Sequence, residues 1–471
     1  MTDATTVTIS TGALHGSESD GIRRFLGIPY AAPPFGENHF RAPQPPAPWE
    51  GVRDATAFGP TAPQLPYSGA IGELLGAAII DGTDILTANV WSPIDAQEAP
   101  VVVWIHGGAF ERGAAALPTY DGAALARIGI VFVSINYRLG SEGFSVLDGA
   151  PRNLGLRDTA AALEWVHREI GAFGGSPENI TLMGESAGGS LVASLLARDD
   201  TRPLVRRAII QSGPLEAQPA AKAGRVTARL AKRLGIAATR DAFCAVPPTD
   251  LLRARRDQSG GASPIGGAPG FQLAIDGESL PRSPHEVLAE IDTPILIGTN
   301  TDEYRLWFAP PALAGIRPSK LLLARLALRI SGRAMSAYRT EWPDASTGEL
   351  FGQLATDVLL RAPATRVAAA RPATRHMYEF AWQSPVRDLR AAHAMELGFV
   401  FDRPDDADSV RMAGHAAPRA LGTEMNTAWG RYITTGDPGW EPFGAERLTR
   451  LFDTATATVP QRRTRGLDLL P

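Results

Sequence analysis

The amino-acid sequence predicts an α/β fold in which a central, mostly parallel sheet is flanked by helices. Between residues 86 and 297, short apolar runs of strand character alternate with segments that have helical periodicity. The run at residues 130–135 is apolar apart from one serine, which is typical of a strand buried on both faces. Strands that alternate with helices are joined by right-handed crossovers, so neighbouring strands run parallel. Such folds often exceed the usual domain length, and we expect one domain over residues 1–471.

The apolar runs and the helical periodicities place each element along the chain. The helix at residues 158–170 has the clearest pattern, because Ala162, Trp165, Val166 and Ile170 lie on one side of it. The predicted strands cover residues 7–10, 22–26, 86–91, 101–105, 130–135, 179–183, 207–210, 294–297 and 375–380. The predicted helices cover residues 121–127, 158–170, 187–198, 222–234 and 321–330.

Two long segments lack a clear period. Residues 61–83 mix proline, glycine and apolar side chains, which is typical either of a lid or pocket wall or of an ordinary surface loop. Residues 258–267 are rich in glycine and serine, and we expect a surface loop there.

The composition excludes several classes of partner. The 46 basic and 50 acidic residues give a net charge of −4, which predicts no binding to nucleic acid or to an anionic membrane. No apolar run is long enough to predict a membrane span, and the N-terminus lacks the pattern of a signal peptide. Cys244 is the only cysteine, so an intrachain disulfide is impossible and a buried inert thiol is its expected state. We therefore expect a cytoplasmic protein.

The sequence Gly184-Glu-Ser186-Ala-Gly188 fits the pattern G-x-S-x-G between a predicted strand and a predicted helix. This pattern is typical of a nucleophile elbow, a tight turn that lifts a serine hydroxyl away from the backbone. The bare pattern also occurs by chance. The interpretation therefore depends on whether the chain supplies partners for Ser186.

A glycine turn follows the predicted strand at residues 101–105. The N–H groups of Gly107 and Gly108 can approach a ligand closely, and together with the N–H group of Ala187 they would bind the oxygen of a tetrahedral intermediate. We expect His106 to shape this turn rather than to act as a base. The alternative is a plain turn that ends a strand.

A nucleophilic serine needs a base and an orienting carboxylate, and in this fold class both follow the serine in the chain. Of the histidines downstream of Ser186, His393 follows a predicted strand in a loop that could reach the elbow, whereas His415 stays open. His376 has a strand-like context, and His285 precedes the candidate acids. Asp302 and Glu303 follow the strand at residues 294–297 and are equal candidates for the acid.

Apolar residues near these positions are candidates for the wall of a substrate pocket, and core packing is the alternative for each of them. The candidates are Phe110, Leu306, Trp307, Phe308 and Phe399.

Many short blocks in a fixed order resemble the type-B carboxylesterase and cholinesterase-like family of α/β-hydrolases. The resemblance runs nearly from end to end of the chain. The blocks begin at Phe25, Asn89, His106, Asn136, Asn153, Phe173, Gly184, Gln211 and Trp429, and Thr435-Gly-Asp-Pro438 closes the series. The resemblance implies the α/β-hydrolase fold with lid or pocket insertions.

The resemblance also implies roles for individual residues. The acid of the family maps to Glu303, the base to His393, and the oxyanion hole to Gly107, Gly108 and Ala187. Ser212 matches a position that supports the triad in relatives. The implied activity is serine carboxylic-ester hydrolysis of small apolar esters with water, without a metal or cofactor. Amide or thioester hydrolysis and a non-catalytic binding module are the alternatives.

Two departures from the family pattern stand out. The Asp-Glu-Gly motif of the family is Asp302-Glu303-Tyr304 here, and we expect this side chain to narrow the pocket. Ile85 occupies the position of a half-cystine in secreted relatives, which favours an intracellular, bacterial-type enzyme.

Overall fold

The strands of the computed structural model, which describes residues 5–259 and 270–471, alternate with its helices through the middle of the chain. The described strands are β1 (Thr6–Ile9), β2 (Gly12–His15), β3 (Ser17–Ser19), β4 (Ile22–Pro29), β5 (Val52–Asp54), β6 (Thr87–Pro93), β7 (Ala99–Ile105), β8 (Val131–Ile135), β9 (Gly175–Glu185), β10 (Arg207–Gln211), β11 (Gln218–Pro219), β12 (Ala274–Ile275), β13 (Ile295–Asn300), β14 (Arg375–Phe380), β15 (Leu448–Phe452) and β16 (Ala457–Pro460).

The described α-helices differ widely in length, and the two longest are α4 and α18. They are α1 (Gly69–Gly72), α2 (Ala123–Arg127), α3 (Gly140–Phe144), α4 (Leu154–Glu169), α5 (Ala187–Leu196), α6 (Ala220–Ala223), α7 (Arg225–Leu234), α8 (Arg240–Cys244), α9 (Pro248–Ser259), α10 (Pro284–Leu288), α11 (Pro310–Ala314), α12 (Pro318–Ala327), α13 (Gly332–Glu341), α14 (Thr347–Thr356), α15 (Ala362–Ala370), α16 (Leu397–Val400), α17 (Ala407–Ala413), α18 (Arg419–Thr435) and α19 (Thr464–Leu467). No helix of the described residues is long and apolar enough to cross a membrane.

Eleven strands form one mixed sheet in the order β16-β15-β14-β13-β10-β9-β7-β8-β6-β4-β3. The seven strands from β15 to β8 in this order run parallel, and the outer strands on both sides pair antiparallel. The α/β prediction with a mostly parallel sheet is therefore confirmed. Because parallel strands end at the same edge, the segments after β7, β9, β10, β13 and β14 meet there.

The core lies on both faces of this sheet, because alternate residues of a strand point to opposite faces. In β7, Val101, Val103 and Ile105 belong to one apolar cluster, and Val102 and Trp104 belong to the other. A third cluster lies among helices α11 to α14, which are inserted between β13 and β14.

The observed elements shift some of the predicted boundaries. The first predicted strand is β1, but it pairs in a separate three-stranded sheet with β2 and β5. The predicted helix at residues 222–234 is two helices, α6 and α7, with Gly224 between them. The loop predicted at residues 258–267 begins with the last two residues of α9, and its remaining residues lie outside the described part of the chain.

A buried ion pair supports the strand end that precedes the predicted acid. Asp357 and Arg361 pair across a single π-helical turn, Asp357–Arg361. Tyr338 Oη donates to Asp357 Oδ2 at 2.6 Å. Arg361 Nη2 donates to the carbonyl oxygen of Asn300 at 2.5 Å. The pair thus connects the helical insertion to the end of β13.

We expect Asp357→Ala to lower the free energy of unfolding by about 3–5 kcal/mol, because Arg361 would stay buried with only the Glu379 carboxylate, 3.7 Å from its Nη2, near its charge. The midpoint of chemical denaturation measures this loss. The double variant Asp357→Leu, Arg361→Met removes both charges and should recover most of it. A single variant as stable as the wild type would contradict the expectation.

Candidate active site

Ser186 lies between the end of β9 and the start of α5, in a strained backbone conformation. Its φ of 55° and ψ of −121° are uncommon for a residue with a side chain. The turn is tight, since a Cβ atom at Gly184 would lie 2.5 Å from the carbonyl carbon of Gly188. The N–H group of Ser186 donates to the carbonyl oxygen of Gln211 at 2.9 Å. The serine itself is partly exposed, which leaves its hydroxyl accessible.

The glycine turn after β7 lies directly against this elbow. A Cβ atom at Gly107 would lie 3.1 Å from Ser186 Cβ and 2.5 Å from Glu185 Oε2. Gly108 has a φ of +115°, which L-residues rarely adopt. Within the described part of the chain, the N–H groups of Gly107, Gly108 and Ala187 donate no hydrogen bond. The turn therefore brings free donors to the side of the serine.

His106 is packed as a structural part of the same turn. Its ring stacks on Tyr137 with 4.6 Å between the ring centroids, and its Nδ1 lies 2.8 Å from the carbonyl oxygen of Gly107. Burial lowers the pKa of His106 to about 4. A neutral ring in this position shapes the turn, as the sequence predicts.

Glu303 and His393 are in direct contact after β13 and β14. His393 Nδ1 lies 2.5 Å from Glu303 Oε2. The other carboxylate oxygen, Oε1, accepts hydrogen bonds from Ser212 Oγ at 2.6 Å and from the N–H group of Asn300 at 2.8 Å. Both Glu303 and His393 are buried. Fixed donors on one oxygen leave the other oxygen directed at the imidazole.

A second carboxylate approaches the opposite side of the imidazole. His393 Nε2 lies 3.0 Å from Glu185 Oε1, although this contact lacks the geometry of a hydrogen bond. No hydrogen bond joins His393 to Ser186 among the described residues. Because Glu185 precedes Ser186 in the elbow, the contact still places the ring beside the serine.

The pKa values of this pair depend on each other. Burial raises the pKa of Glu185 to about 8. Burial opposes the charged form of His393, but the carboxylates of Glu185 and Glu303 outweigh this effect and raise the pKa of His393. Protonation of Glu185 removes one of these charges, so a proton on either group lowers the tendency of the other to hold one.

A further layer of buried polar groups lies beneath the imidazole. Glu396 accepts hydrogen bonds from Asn300 Nδ2 at 2.6 Å and from Gln211 Nε2 at 3.1 Å. Trp429 Nε1 donates to Gln211 Oε1 at 3.1 Å. Burial raises the pKa of Glu396, and the charge of Glu303 adds to this effect.

The sequence does not predict this layer or the position of Glu185. Glu185 is the second residue of the serine motif, and an acidic residue in a buried turn is the one signal that could have identified it. Glu396 carries no such signal, and Gln211 only begins one of the family blocks, because the contacts of both residues depend on the meeting of distant segments.

The other candidates for acid and base lie elsewhere. Asp302 Oδ1 is 3.7 Å from Arg305 Nε and contacts no histidine. His376 packs against Trp440 and Tyr432, and burial lowers its pKa to about 4. His415 is exposed, and His285 Nδ1 lies 2.9 Å from Ser283 Oγ.

The five candidate wall residues have different surroundings. Trp307 lies beside the site, with its ring centroid 4.7 Å from that of His393. Phe110 packs on Phe144 at 4.7 Å and is partly buried next to the glycine turn.

The remaining three candidates are placed as core residues. Phe399 is 1% exposed and packs against Phe380 and Trp382. Leu306 belongs to the second apolar cluster and Phe308 to the third. This packing favours the core alternative for Phe399, Leu306 and Phe308.

Two other expectations concern the surroundings of the site. The ring of Tyr304 belongs to the third apolar cluster and packs against Gly352 of α14. It does not lie beside His393. The segment at residues 61–83 packs on the turn after Gly108, because Gln64 exchanges two hydrogen bonds of 2.9 Å with the backbone of Gly113. These hydrogen bonds join the start of the segment to the chain that follows the glycine turn.

Replacement of Glu185 by glutamine should move the acidic limb of the kcat/KM profile to lower pH by about one unit. The Glu185 carboxylate raises the pKa of His393, so its removal lets His393 lose its proton at a lower pH. The pH dependence of hydrolysis measures the shift. Glu178→Gln, an exposed change on the same strand, is the control and should leave the limb in place. An acidic limb that stays at the same pH or moves to higher pH in Glu185→Gln would contradict the expectation.

Comparison with known proteins identifies the family of this chain. The sequence profile of the Carboxylesterase family matches residues 3–451. The chain is 36% identical over 453 residues to para-nitrobenzyl esterase of Bacillus subtilis (strain 168). The matched region covers 92% of this chain and 91% of that protein. It is 35% identical to phenmedipham hydrolase of Pseudarthrobacter oxydans, with 96% of this chain and 94% of that protein covered.

Solved structures give the same result. A para-nitrobenzyl (PNB) esterase structure superimposes with a TM-score of 0.88 at 33% identity and covers 100% of both chains. A carboxylesterase of Geobacillus stearothermophilus superimposes with a TM-score of 0.88 at 33% identity, covering 99% of this chain and 100% of that one. The chain belongs to the carboxylesterase family, and it is a serine carboxylic-ester hydrolase with the α/β-hydrolase fold.

Proposed function

We propose that Ser186, His393 and Glu303 are the catalytic triad of this esterase, and that the N–H groups of Gly107, Gly108 and Ala187 form its oxyanion hole. One observation carries the proposal. The imidazole of His393 is held between the Glu303 carboxylate, at 2.5 Å, and the residue that precedes the elbow serine, at 3.0 Å. Ser212, through its 2.6 Å hydrogen bond to Glu303, is the supporting residue.

The reaction follows from these positions in two halves. Ser186 Oγ attacks the carbonyl carbon of the ester while neutral His393 accepts its proton, and the proton then passes to the leaving alcohol. Water next attacks the acyl-enzyme, with His393 again as the base, and releases the carboxylic acid and Ser186. Glu303 stabilises the imidazolium in both halves. The oxyanion donors contribute about 3–4 kcal/mol to lowering the barrier.

The Nε2 atom of His393 has two possible partners in the proposed site, the Glu185 carboxylate and Ser186 Oγ. In the structure, Nε2 lies against the Glu185 carboxylate and not in a hydrogen bond to Ser186. We expect the ring to exchange this contact for Ser186 Oγ when the substrate binds, because catalytic hydrogen bonds tighten in the complex.

The substrates we propose are small esters with apolar groups. Trp307 beside His393 and Phe110 beside the glycine turn are the apolar side chains nearest to the reacting groups. The names of two relatives add para-nitrobenzyl esters and phenmedipham as compounds to test. A panel that varies the acyl length and the size of the alcohol would define the preference, and amide and thioester analogues belong in the same panel.

Labelling by a fluorophosphonate tests the nucleophile. Such a probe reacts with an activated serine, so the peptide that contains Ser186 should carry the label, and Ser186→Ala should carry none. Ser190→Ala is the matched control, because this serine lies one turn further along α5 and donates to the carbonyl oxygen of Pro214 at 2.5 Å. Label on a different residue in the wild type would overturn the assignment.

Two further expectations from the sequence remain proposals. We propose that the chain forms one catalytic domain, because helices α11 to α14 connect the acid strand β13 to β14 and pack beside the site. The cytoplasmic location, which the single cysteine favours, stays a prediction.

A further inference from the structure

Helix α12 presents an unusual apolar surface to solvent. Leu322, Leu323 and Leu326 are 51%, 67% and 64% exposed, and we call these three residues the leucine patch. Positions three and four apart lie on the same side of a helix, so the three side chains are adjacent. Leu321 on the opposite side is buried in the third apolar cluster. Among the described helices, no other carries more than one exposed large hydrophobic residue.

Cations that have no acidic partner among the described residues surround the leucine patch, although Lys320 Nζ lies 5.4 Å from the ring centroid of Phe351 and Arg325 Nε donates to the carbonyl oxygen of Ile330 at 3.2 Å. Residues 304–340 contain seven arginines and lysines and no aspartate or glutamate, although the whole chain has a net charge of −4. The basic rim consists of Arg317, Lys320, Arg325, Arg329 and Arg333. None of these five makes an ion pair within the described residues, whereas Arg305, nearer the site, pairs with Asp388 at 2.5 Å and Glu349 at 2.8 Å.

We propose that the leucine patch and its basic rim dock this esterase on an anionic lipid surface. A helix with exposed leucines on one side and cations around them is the arrangement that lies in the interface of a membrane. The leucines would enter the boundary between head groups and acyl chains, and the cations would remain with the anionic head groups. The balanced charge of the whole chain predicts no such binding, but the local distribution around α12 differs from that balance.

The charges of the basic rim also disfavour a second copy of this chain as the partner that covers the leucine patch. A symmetric dimer through α12 would place the same surface of both copies face to face. The two basic rims would then oppose each other, which disfavours the contact. An anionic lipid surface complements both parts of the surface at once.

Docking there would bring the catalytic region close to esters dissolved in lipid. The chain leads from Trp307, which lies against His393, through α11 directly into α12. The docking proposal does not depend on the assignment of the triad, because membrane binding can be measured without substrate.

Flotation with lipid vesicles tests the proposal on the full chain. We expect binding to vesicles of phosphatidylcholine with about 30 mol% phosphatidylserine, much weaker binding to phosphatidylcholine alone, and loss of binding at high salt. The triple variant Leu322→Ser, Leu323→Ser, Leu326→Ser should bind the anionic vesicles at least about tenfold more weakly. Lys320→Gln, Arg329→Gln, Arg333→Gln should show a loss of similar size, which tests the rim separately.

The control is Val52→Ser, Ile94→Ser, which removes two exposed apolar side chains far from α12 in the sequence and should bind as the wild type. Circular dichroism and hydrolysis of a water-soluble short-chain ester, both unchanged, would show that the variants are folded. Wild-type binding that is absent, or equal on neutral and anionic vesicles, would overturn the proposal, as would a leucine variant that binds normally. A dimer that the leucine variant abolishes, without vesicle binding, would identify a second copy as the occupant and overturn it too.

Discussion

Replacement of Ser186 by alanine should lower kcat for ester hydrolysis by about 10⁴- to 10⁶-fold, with little change in the fold. The change removes the atom that forms the acyl-enzyme in the proposed reaction, and no other described hydroxyl group occupies the elbow. The N–H groups of the glycine turn remain, so a small rate above that of water should persist. Steady-state hydrolysis of a short-chain p-nitrophenyl ester measures the effect, together with the loss of any burst of alcohol release.

The matched control for this variant is Ser194→Ala. Ser194 lies in the same helix, is buried, and donates to the carbonyl oxygen of Ser190 at 2.7 Å. Its loss should affect stability modestly and leave kcat within a few-fold of the wild type. Equal turnover by Ser186→Ala and the wild type would exclude the elbow serine as the nucleophile.

Glu303→Gln should lower kcat by about 10³- to 10⁴-fold. Glutamine keeps the size of the side chain, but it removes the charge that stabilises the imidazolium and presents an amide that can favour the wrong tautomer of His393. The hydrogen bonds from Ser212 and Asn300 hold this position in place, so the backbone should not change. Measurement of kcat and KM for the same ester separates this loss from weaker substrate binding.

Asp302→Asn is the control that decides between the two acids that the sequence leaves open. Asp302 contacts Arg305 and not His393, and burial raises its pKa. Its replacement should therefore retain most of the activity. A large loss in Asp302→Asn with full activity in Glu303→Gln would assign the acid to Asp302 instead.

Much of the fold could be predicted from the sequence because the burial of a strand in the sheet determines which residues that strand contains. A strand buried on both faces is mostly apolar, and β8 and the centre of β10 both carry such runs. The helix α4 could be located by its apolar side, but its first turn could not, because Asn153 starts it in a left-handed conformation that periodicity does not reveal. Residues near the ends of elements depend on such local contacts.

The parts of the candidate site that lie within one continuous motif could be predicted from the sequence, and the parts that depend on contacts between distant segments could not. The elbow and the glycine turn are each local, so the sequence identifies their residues directly. The choice between Asp302 and Glu303 is not local, because it depends on which side chain faces His393, some 90 residues away in the chain. The layer formed by Gln211, Glu396 and Trp429 joins three distant segments, and no pattern within any one of them predicts it.

The order of the site's segments along the chain also has a consequence for biosynthesis. The elbow is complete when β9, α5 and β10 are made, whereas the proposed base, His393, follows β14, and the tryptophan that donates to Gln211 lies in α18. A nascent chain on the ribosome therefore carries the proposed nucleophile, Ser186, for a long interval before it has the imidazole of His393, the proposed base. Chains released early, before residue 393, would hold an unreactive serine, so esterase activity should report only on molecules that were translated nearly to the end.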